Sequence, residues 1–243
     1  MRDFFFYYFY KIKKIFNIKI ISANIRLFLL YNSKKNNNVF VLGKNFSLYK
    51  GIDRGIRTPS IYLNAYKELY EKKEISFLKN KIKKGDYIID VGANIGFYSY
   101  FFLKFTSNKG RVFIFERHKH LKYLIEKNCL PFKNYTLFIN EVGIEKYHLK
   151  LDDILKKRID FIKIDVDGYD LNILKSAKNI IKKFKPKILI EISYDSHIIS
   201  GIHYLDVLKF LINHGYRCHE INNYPKVFSR RLFKNEVLNI YCE

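Results

Sequence analysis

Four carboxylates, Asp90, Glu116, Asp165 and Glu191, each stand at or beside the end of a short apolar run. A carboxylate so placed can accept hydrogen bonds from a ligand's hydroxyl or ammonium groups, or take up a proton during reaction. The first is followed by the turn Gly92-Ala93-Asn94-Ile95-Gly96. Glycines allow positive φ and close approach of the backbone to a ligand. The helical pattern that opens after Gly96 adds N–H groups suited to a polar or anionic group. This unit predicts a small bound cofactor.

The spacing narrows the cofactor. Glu116 lies twenty residues beyond Gly96 at the end of the next apolar run, where a carboxylate can bind two ribose hydroxyls. A nicotinamide-dinucleotide turn reads Gly-x-Gly-x-x-Gly. Here the turn is Gly92-x-x-x-Gly96, with Asp90 ahead of it. A carboxylate there repels a pyrophosphate and welcomes an ammonium group, which favours S-adenosylmethionine.

Methyl transfer from that cofactor to oxygen needs an acceptor for the hydroxyl proton. The candidates are Asp165, Asp167, Glu191 and His197, with Asp165 first and His197 second. Each has a plainer reading. Asp165 can cap the turn through Gly168, Asp167 and Asp170 can make local turn bonds, and His197 can be a solvated histidine in a loop rich in His and Ser. Asp152-Asp153 reads as the cap of a helix starting at Ile154. Asp165 with Glu191 could instead hold a divalent cation, but metal is not the expectation: the remaining histidines show no ligand spacing.

These residues need a scaffold, and from Ser60 onward strand and helix patterns alternate. Strands are predicted at 87–91, 111–116, 135–139, 159–165, 187–192, 216–221 and 237–242. Helices are predicted at 65–83, 95–104, 118–128, 171–184 and 205–214, the last ended by Gly215. Alternation of this kind predicts an α/β fold: a mostly parallel sheet with helices on both faces. The final two strands, with no helix between them, predict a terminal antiparallel hairpin.

Residues 1–59 read as a separate basic, aromatic-rich extension before a domain over 60–243. Phe4–Tyr10 is aromatic throughout, lysines follow, and Asp3 and Asp53 are the only acids. No cleavage pattern or span of ~20 apolar residues is present. Mixed basic and aromatic residues over 1–35 suit an anionic membrane surface, or equally a helix packed on the domain with its basic face in water. Ser33–Asn38 reads as a linker and 39–41 and 46–49 as short strands. The formal charge is +22. That admits nucleic acid, anionic lipid or an acidic glycan as partner, or simply a chain that uses Lys wherever a polar residue is needed. Cys129, Cys218 and Cys242 lack paired spacing and fit a reducing, cytoplasmic location, peripheral to the membrane if the extension binds it.

The motifs together resemble the FkbM family of S-adenosylmethionine-dependent methyltransferases. The resemblance rests on Asp90-Val-Gly92-Ala-Asn94-Ile-Gly96, Leu151-Asp152-Asp153-Ile154, and Ile159 to Asp170 with its core Lys163-Ile-Asp165-Val-Asp167-Gly168. Ile188–Ile192 and Gly215-Tyr216-Arg217 continue it. It implies a class I, Rossmann-like methyltransferase fold and O-methylation of a sugar, glycan or related small molecule, in many members for surface polysaccharides. By matching position, Asp90, Gly92, Asn94 and Gly96 hold the amino-acid end of the cofactor, Glu116 the ribose, and Asp165 faces the transfer centre. The chain departs from the family at Arg117, where proline is usual, and at Asp167, where glutamate is usual. It is also short over 117–151, where a hairpin near the adenine would be missing. Two rivals remain: an RNA methyltransferase, which lacks an Asn/Asp-Pro-Pro-Tyr type motif here, and a non-catalytic protein of the same fold. Oligomeric state is not legible.

If residues 1–35 bind anionic membranes, liposome flotation will carry the full chain and leave behind a chain beginning at Val39. Equal flotation of the two would remove the membrane reading.

Overall fold

The computed structural model describes residues 38–47 and 71–243. The basic segment 1–35, most of the expected linker and the first part of the expected helix 65–83 lie outside these residues. No helix among the described residues is long and apolar enough to cross a membrane.

Two short strands, β1 (Asn38–Val41) and β2 (Lys44–Ser47), pair antiparallel. Leu42 and Gly43 between them both have positive φ, 49° and 80°, the backbone of the tight turn that matches strand twist. Helix α1 (Lys72–Lys81) then leads into β3 (Tyr87–Val91). There follow α2 (Phe97–Thr106), β4 (Arg111–Glu116), α3 (Lys122–Cys129), β5 (Tyr135–Ile139), α4 (Leu151–Ile154) and β6 (Phe161–Ile164). Then come α5 (Asp170–Ser176), α6 (Lys178–Phe184), β7 (Lys187–Ser193), α7 (Tyr194–Ser200), α8 (Tyr204–Asn213), β8 (Cys218–Glu220) and β9 (Val237–Cys242).

Strands β3 to β9 form one sheet in the order β5-β4-β3-β6-β7-β9-β8. The first five in sequence run parallel, and β9 runs antiparallel to both β7 and β8. The expected parallel sheet and terminal antiparallel pair are both present. The sequence reading did not place β9 between β7 and β8. Its side chains explain the position: Leu238, Ile240 and Cys242 pack into one core while Tyr241 packs into the other, so β9 needs cover on both faces. The short β8 is left at the edge.

The strands alternate between the two cores with period two. Ile89, Val91, Ile162, Ile164, Ile188 and Ile190 face α5, α6 and α8. Ile88, Ile114, Phe161 and Leu189 face α1, α2 and α3. Asp90 shares the second face with Ile88, as Lys163 shares it with Phe161. In the central strands β3 and β6 polar side chains therefore interrupt only the side next to α2.

Three local expectations are corrected. The single helix 171–184 is two helices broken at Ala177, because the Asp152 carboxylate accepts the backbone N–H groups of Asn179 (2.8 Å) and Ile180 (2.9 Å). Asp152 thus caps α6, not a helix of its own at Ile154. The loop expected around His197 is the helix α7, bounded by Ser193 at its N-cap and Gly201, φ 71°, at its end. The third correction is at 216–221, where only Cys218–Glu220 is strand. Between β5 and α4 the chain makes a loop closed by a bridge from Val142 to Leu149, with no further strand, as the shortness of 117–151 implied.

Strand order reverses between β3 and β6, the place where open α/β sheets bind ligands beyond their strand ends. There the backbones nearly touch. A Cβ on Gly92 would lie 1.9 Å from the Asp165 carbonyl oxygen, and Gly92 has φ 79°. We expect Gly92→Ala to destabilise the fold by at least about 2 kcal/mol, from left-handed strain with collision added. Urea-unfolding midpoints of the two proteins test this, and an unchanged midpoint would refute it.

Candidate active site

The parallel register sets the site. Asp90 pairs with Lys163 across β3 and β6, and Lys163 pairs with Leu189 across β6 and β7. Two residues further on, Gly92, Asp165 and Glu191 come level at the carboxyl ends of the same strands. Asp90 and Asp165, candidates from the sequence, are therefore brought together, and Glu191 joins them.

Lys163 is the residue the sequence reading passed over. It lies on a buried strand, its side chain is 4% exposed, and its Nζ donates to Oδ2 of Asp165 at 3.0 Å. The same Nζ lies 3.9 Å from Oδ1 of Asp90 and 4.6 Å from the centre of the Tyr98 ring. Burial alone would lower its pKa, but Asp165 and Asp90 outweigh that and hold it above the ordinary lysine value. It stays an ammonium.

Asp90 is completely buried. Ser99, in the first turn of α2, donates to its Oδ2 at 2.5 Å, whereas Oδ1 has no hydrogen-bond partner. Burial raises the Asp90 pKa, with Lys163 and then Ser99 opposing the rise. Asp165 is more open: its side chain is 34% exposed. Burial, and next the charge of Asp165, push the Glu191 carboxyl up to about 8. Glu71, at the N-cap of α1, accepts a 2.5 Å bond from the Tyr98 hydroxyl, and burial raises its pKa too. Nothing in its surrounding sequence marks Glu71 as part of this group. Ser99, by contrast, lies three residues beyond the glycine-rich motif.

Glu116 reaches back to the glycine-rich turn. Its Oε2 accepts the Asn94 N–H at 2.8 Å, and its Oε1 accepts the His118 N–H at 2.9 Å and lies 2.8 Å from the His118 Nδ1. The turn is less open than the sequence suggests. Gly92 and Ala93 donate to the Phe115 carbonyl, and Gly96 donates to that of Ala93. What it leaves unpartnered is the buried Asn94 Oδ1. Asn128 holds the far side of the turn, donating to the carbonyls of Ile95 (2.8 Å) and Ser47 (3.1 Å).

His197 is not the solvated loop residue that was its alternative reading. It is 2% exposed, its Nδ1 lies 2.8 Å from the Ser193 carbonyl, and its Nε2 lies 3.3 Å from Oδ2 of Asp170. Asp170, expected to bond locally in a turn, is fully buried with it. Burial pushes Asp170 up to about 7 and pulls the His197 pKa down. Gly168 permits this packing: a Cβ there would lie 2.5 Å from the Ser196 carbonyl oxygen. The 165–170 loop is thus held by Lys163 at its start and by α7 at its end.

Among the described residues no group of three or more His, Cys, Asp or Glu is arranged to hold a metal ion. A basic cleft of about 530 Å³, lined by Lys83, Lys84, Lys157 and Arg158 among others, stands at the start of β3 and β6. That is the end of the sheet opposite the carboxylates, so it is not part of this site.

A carboxyl with a raised folded-state pKa keeps a proton that the unfolded chain releases, so it costs stability as the pH rises from about 4 to about 7. His197, lowered, acts in the opposite sense below its ordinary value, in both proteins. Asp170→Asn should therefore gain on the order of 2 kcal/mol relative to wild type between pH 4.5 and pH 7. Urea unfolding at the two pH values tests it; a difference that does not change with pH would overturn the assignment.

The fold is shared with solved methyltransferase structures. One, described as an rRNA methylase from Clostridium thermocellum, is 14% identical, with a TM-score of 0.54, covering 70% of this chain and 93% of the other. Another is Aeropyrum pernix fibrillarin with natively bound S-adenosyl-L-methionine: 15% identity, TM-score 0.50, covering 71% of this chain and 74% of the other. No curated protein matches the sequence. The family model described as the Methyltransferase FkbM domain matches residues 133–218, a stretch containing Lys163, Asp165, Glu191 and His197 but not the glycine-rich turn. The chain has a class I methyltransferase fold, and its resemblance to the FkbM methyltransferases, read from its motifs, is met by that match.

Proposed function

We propose that this protein is an S-adenosylmethionine-dependent O-methyltransferase acting on a hydroxyl of a sugar, glycan or related small molecule. The observation that carries the reading is the meeting of Asp90 and Asp165 across Gly92 at the point where strand order reverses. The residues present fit the cofactor. Asp90 keeps an unpartnered oxygen suited to an ammonium group. Gly92, Asn94 and Gly96 shape the turn beside it, and the orphaned Asn94 Oδ1 adds an acceptor there. Each carboxylate oxygen can accept two bonds, so Oε2 of Glu116, which accepts only the Asn94 N–H, retains capacity for a ribose hydroxyl.

When bound, S-adenosylmethionine supplies a sulfonium methyl. The chain's own contribution is placement and proton removal. Asp165, a third exposed and fixed by Lys163, takes the proton of the acceptor hydroxyl. His197, enclosed beside Asp170, supports the loop that carries Asp165. Glu191, partly protonated near neutral pH, can donate a hydrogen bond to the acceptor. Asp165, with Asp167 nearby in the same loop, sets a negative field at the transfer point. That field suits a neutral polyol and opposes a phosphate backbone, which favours a glycan over RNA.

Calorimetry with S-adenosylhomocysteine is the primary test. We expect binding by the wild type and at least a hundredfold weaker binding by Asp90→Ala. No binding at millimolar ligand would overturn the enzyme reading. Labelled methyl donor offered with nucleotide sugars, extracted glycans and total RNA then separates acceptors: label appearing in RNA alone would overturn the sugar assignment.

A further inference from the structure

Lysine is a costly residue on a central strand. Moving an ammonium into a protein interior costs several kcal/mol unless it is well paired. The other residues of β6, Phe161, Ile162 and Ile164, are buried and apolar, as a central strand requires. Yet Lys163 is only partly satisfied. An ammonium has three donors, and among the described residues Lys163 makes one hydrogen bond, to Asp165. The Asp90 oxygen nearest it, at 3.9 Å, is itself without a hydrogen-bond partner. A pair serving stability alone would be expected to close that gap.

The surroundings of Asp90 show why the gap has a use. From α2, Ser99 bonds its other oxygen. From the ends of β6 and β4, Asp165 and Glu116 add negative charge, and among the described residues Lys163 is the cation that acts on it most strongly. From α3, Cys129 lies close enough to feel its charge, and burial keeps that thiol protonated. A fully buried carboxylate with two anionic neighbours is held in its ionised form by a fixed positive charge beside it. At 3.9 Å the lysine supplies that charge without occupying the oxygen that a ligand's ammonium must reach.

We propose that Lys163 is the built-in counter-ion of the donor pocket: a positioning residue that keeps Asp90 charged and vacant at Oδ1 for the cofactor's ammonium group while fixing the Asp165 carboxylate with its own hydrogen bond. The inference rests on the methyl-donor reading. It adds that the acidic residues of the pocket work only as a set with this lysine. Lys163→Met removes the charge and keeps the length of the stem; Lys163→Arg keeps the charge.

The test is the pH dependence of S-adenosylhomocysteine binding by calorimetry between pH 6 and pH 8. Wild type and Lys163→Arg are expected to bind with affinities that change less than threefold. Lys163→Met is expected to bind at least tenfold more weakly at pH 6 than at pH 8, because its Asp90 takes up a proton. A Lys163→Met protein with the wild-type pH profile would overturn the proposal, even if its affinity were uniformly reduced, since a purely structural role predicts that result. Wild-type protein that fails to bind at any pH removes the donor reading and this inference with it, an outcome distinct from the first. Should Lys163→Met fail to fold, the wild-type Asp90 carboxyl carbon, followed by NMR, decides the matter. Ionisation maintained to pH 5 supports the counter-ion role, and titration above pH 6 refutes it.

Discussion

The contact between the backbone of Gly92 and the carbonyl of Asp165 governs the arrangement of everything polar in this protein. Two parallel strands, β3 and β6, end side by side, and the chain leaves them in different directions. If the residue after Val91 had a Cβ, the strands could not close to the 3.1 Å bond between the Asp165 N–H and the Val91 carbonyl. Because they do close, Asp90 and Lys163 face each other and Asp165 is carried to the rim. Left-handed backbone at Asn94 and Gly96 then turns the chain toward α2, which returns Ser99 and Tyr98 to the same charges. One missing methyl group thus determines how four titratable side chains meet.

The sheet was legible because its signals are local. Strands such as Arg111–Glu116 and Tyr135–Ile139 are apolar runs bounded by polar turns, and their limits fall where the pattern puts them. The two-helix break at Ala177 was not legible, since its cause is a carboxylate at position 152 that joins α6 only through the fold. The helix around His197 could have been read from Ser193 and Gly201, which have the composition of an N-cap and a C-terminal stop. The site shows the same division. Asp90, Glu116 and Asp165 were visible because strand-end carboxylates are rare and regularly placed. Lys163 was hidden by its commonness: in a chain with 45 Lys and Arg, one more lysine in a strand carries no signal until burial is known. Glu71 was hidden because only tertiary packing brings it to Tyr98.

Charge is used in opposite ways in the two parts of the molecule. Over most of the described surface the lysines are solvated and their contribution is general. At the strand ends a few acids outnumber one lysine in a confined volume, where each charge acts strongly on the others. The composition therefore describes the exterior and says little about the centre. A net charge of +22 coexists with a candidate site lined mainly by carboxyl groups.

Lys81 of α1 ends among the rings of Phe77, Tyr224 and Tyr241, 4.0 Å from the Tyr224 centroid, and bonds both the Tyr224 hydroxyl and Glu243. These partners lie 143 and 162 positions away in the chain. Contacts of such separation bring a large loop-closure cost and slow the search for the native state. The clasp cannot form until β9 has been synthesised and inserted beside β7. Although α1 precedes the sheet in sequence, the end that carries Lys81 is fastened by the last residues of the chain. During translation the glycine-rich turn and β3 are made long before Tyr224, Tyr241 and Glu243, the residues that clasp α1.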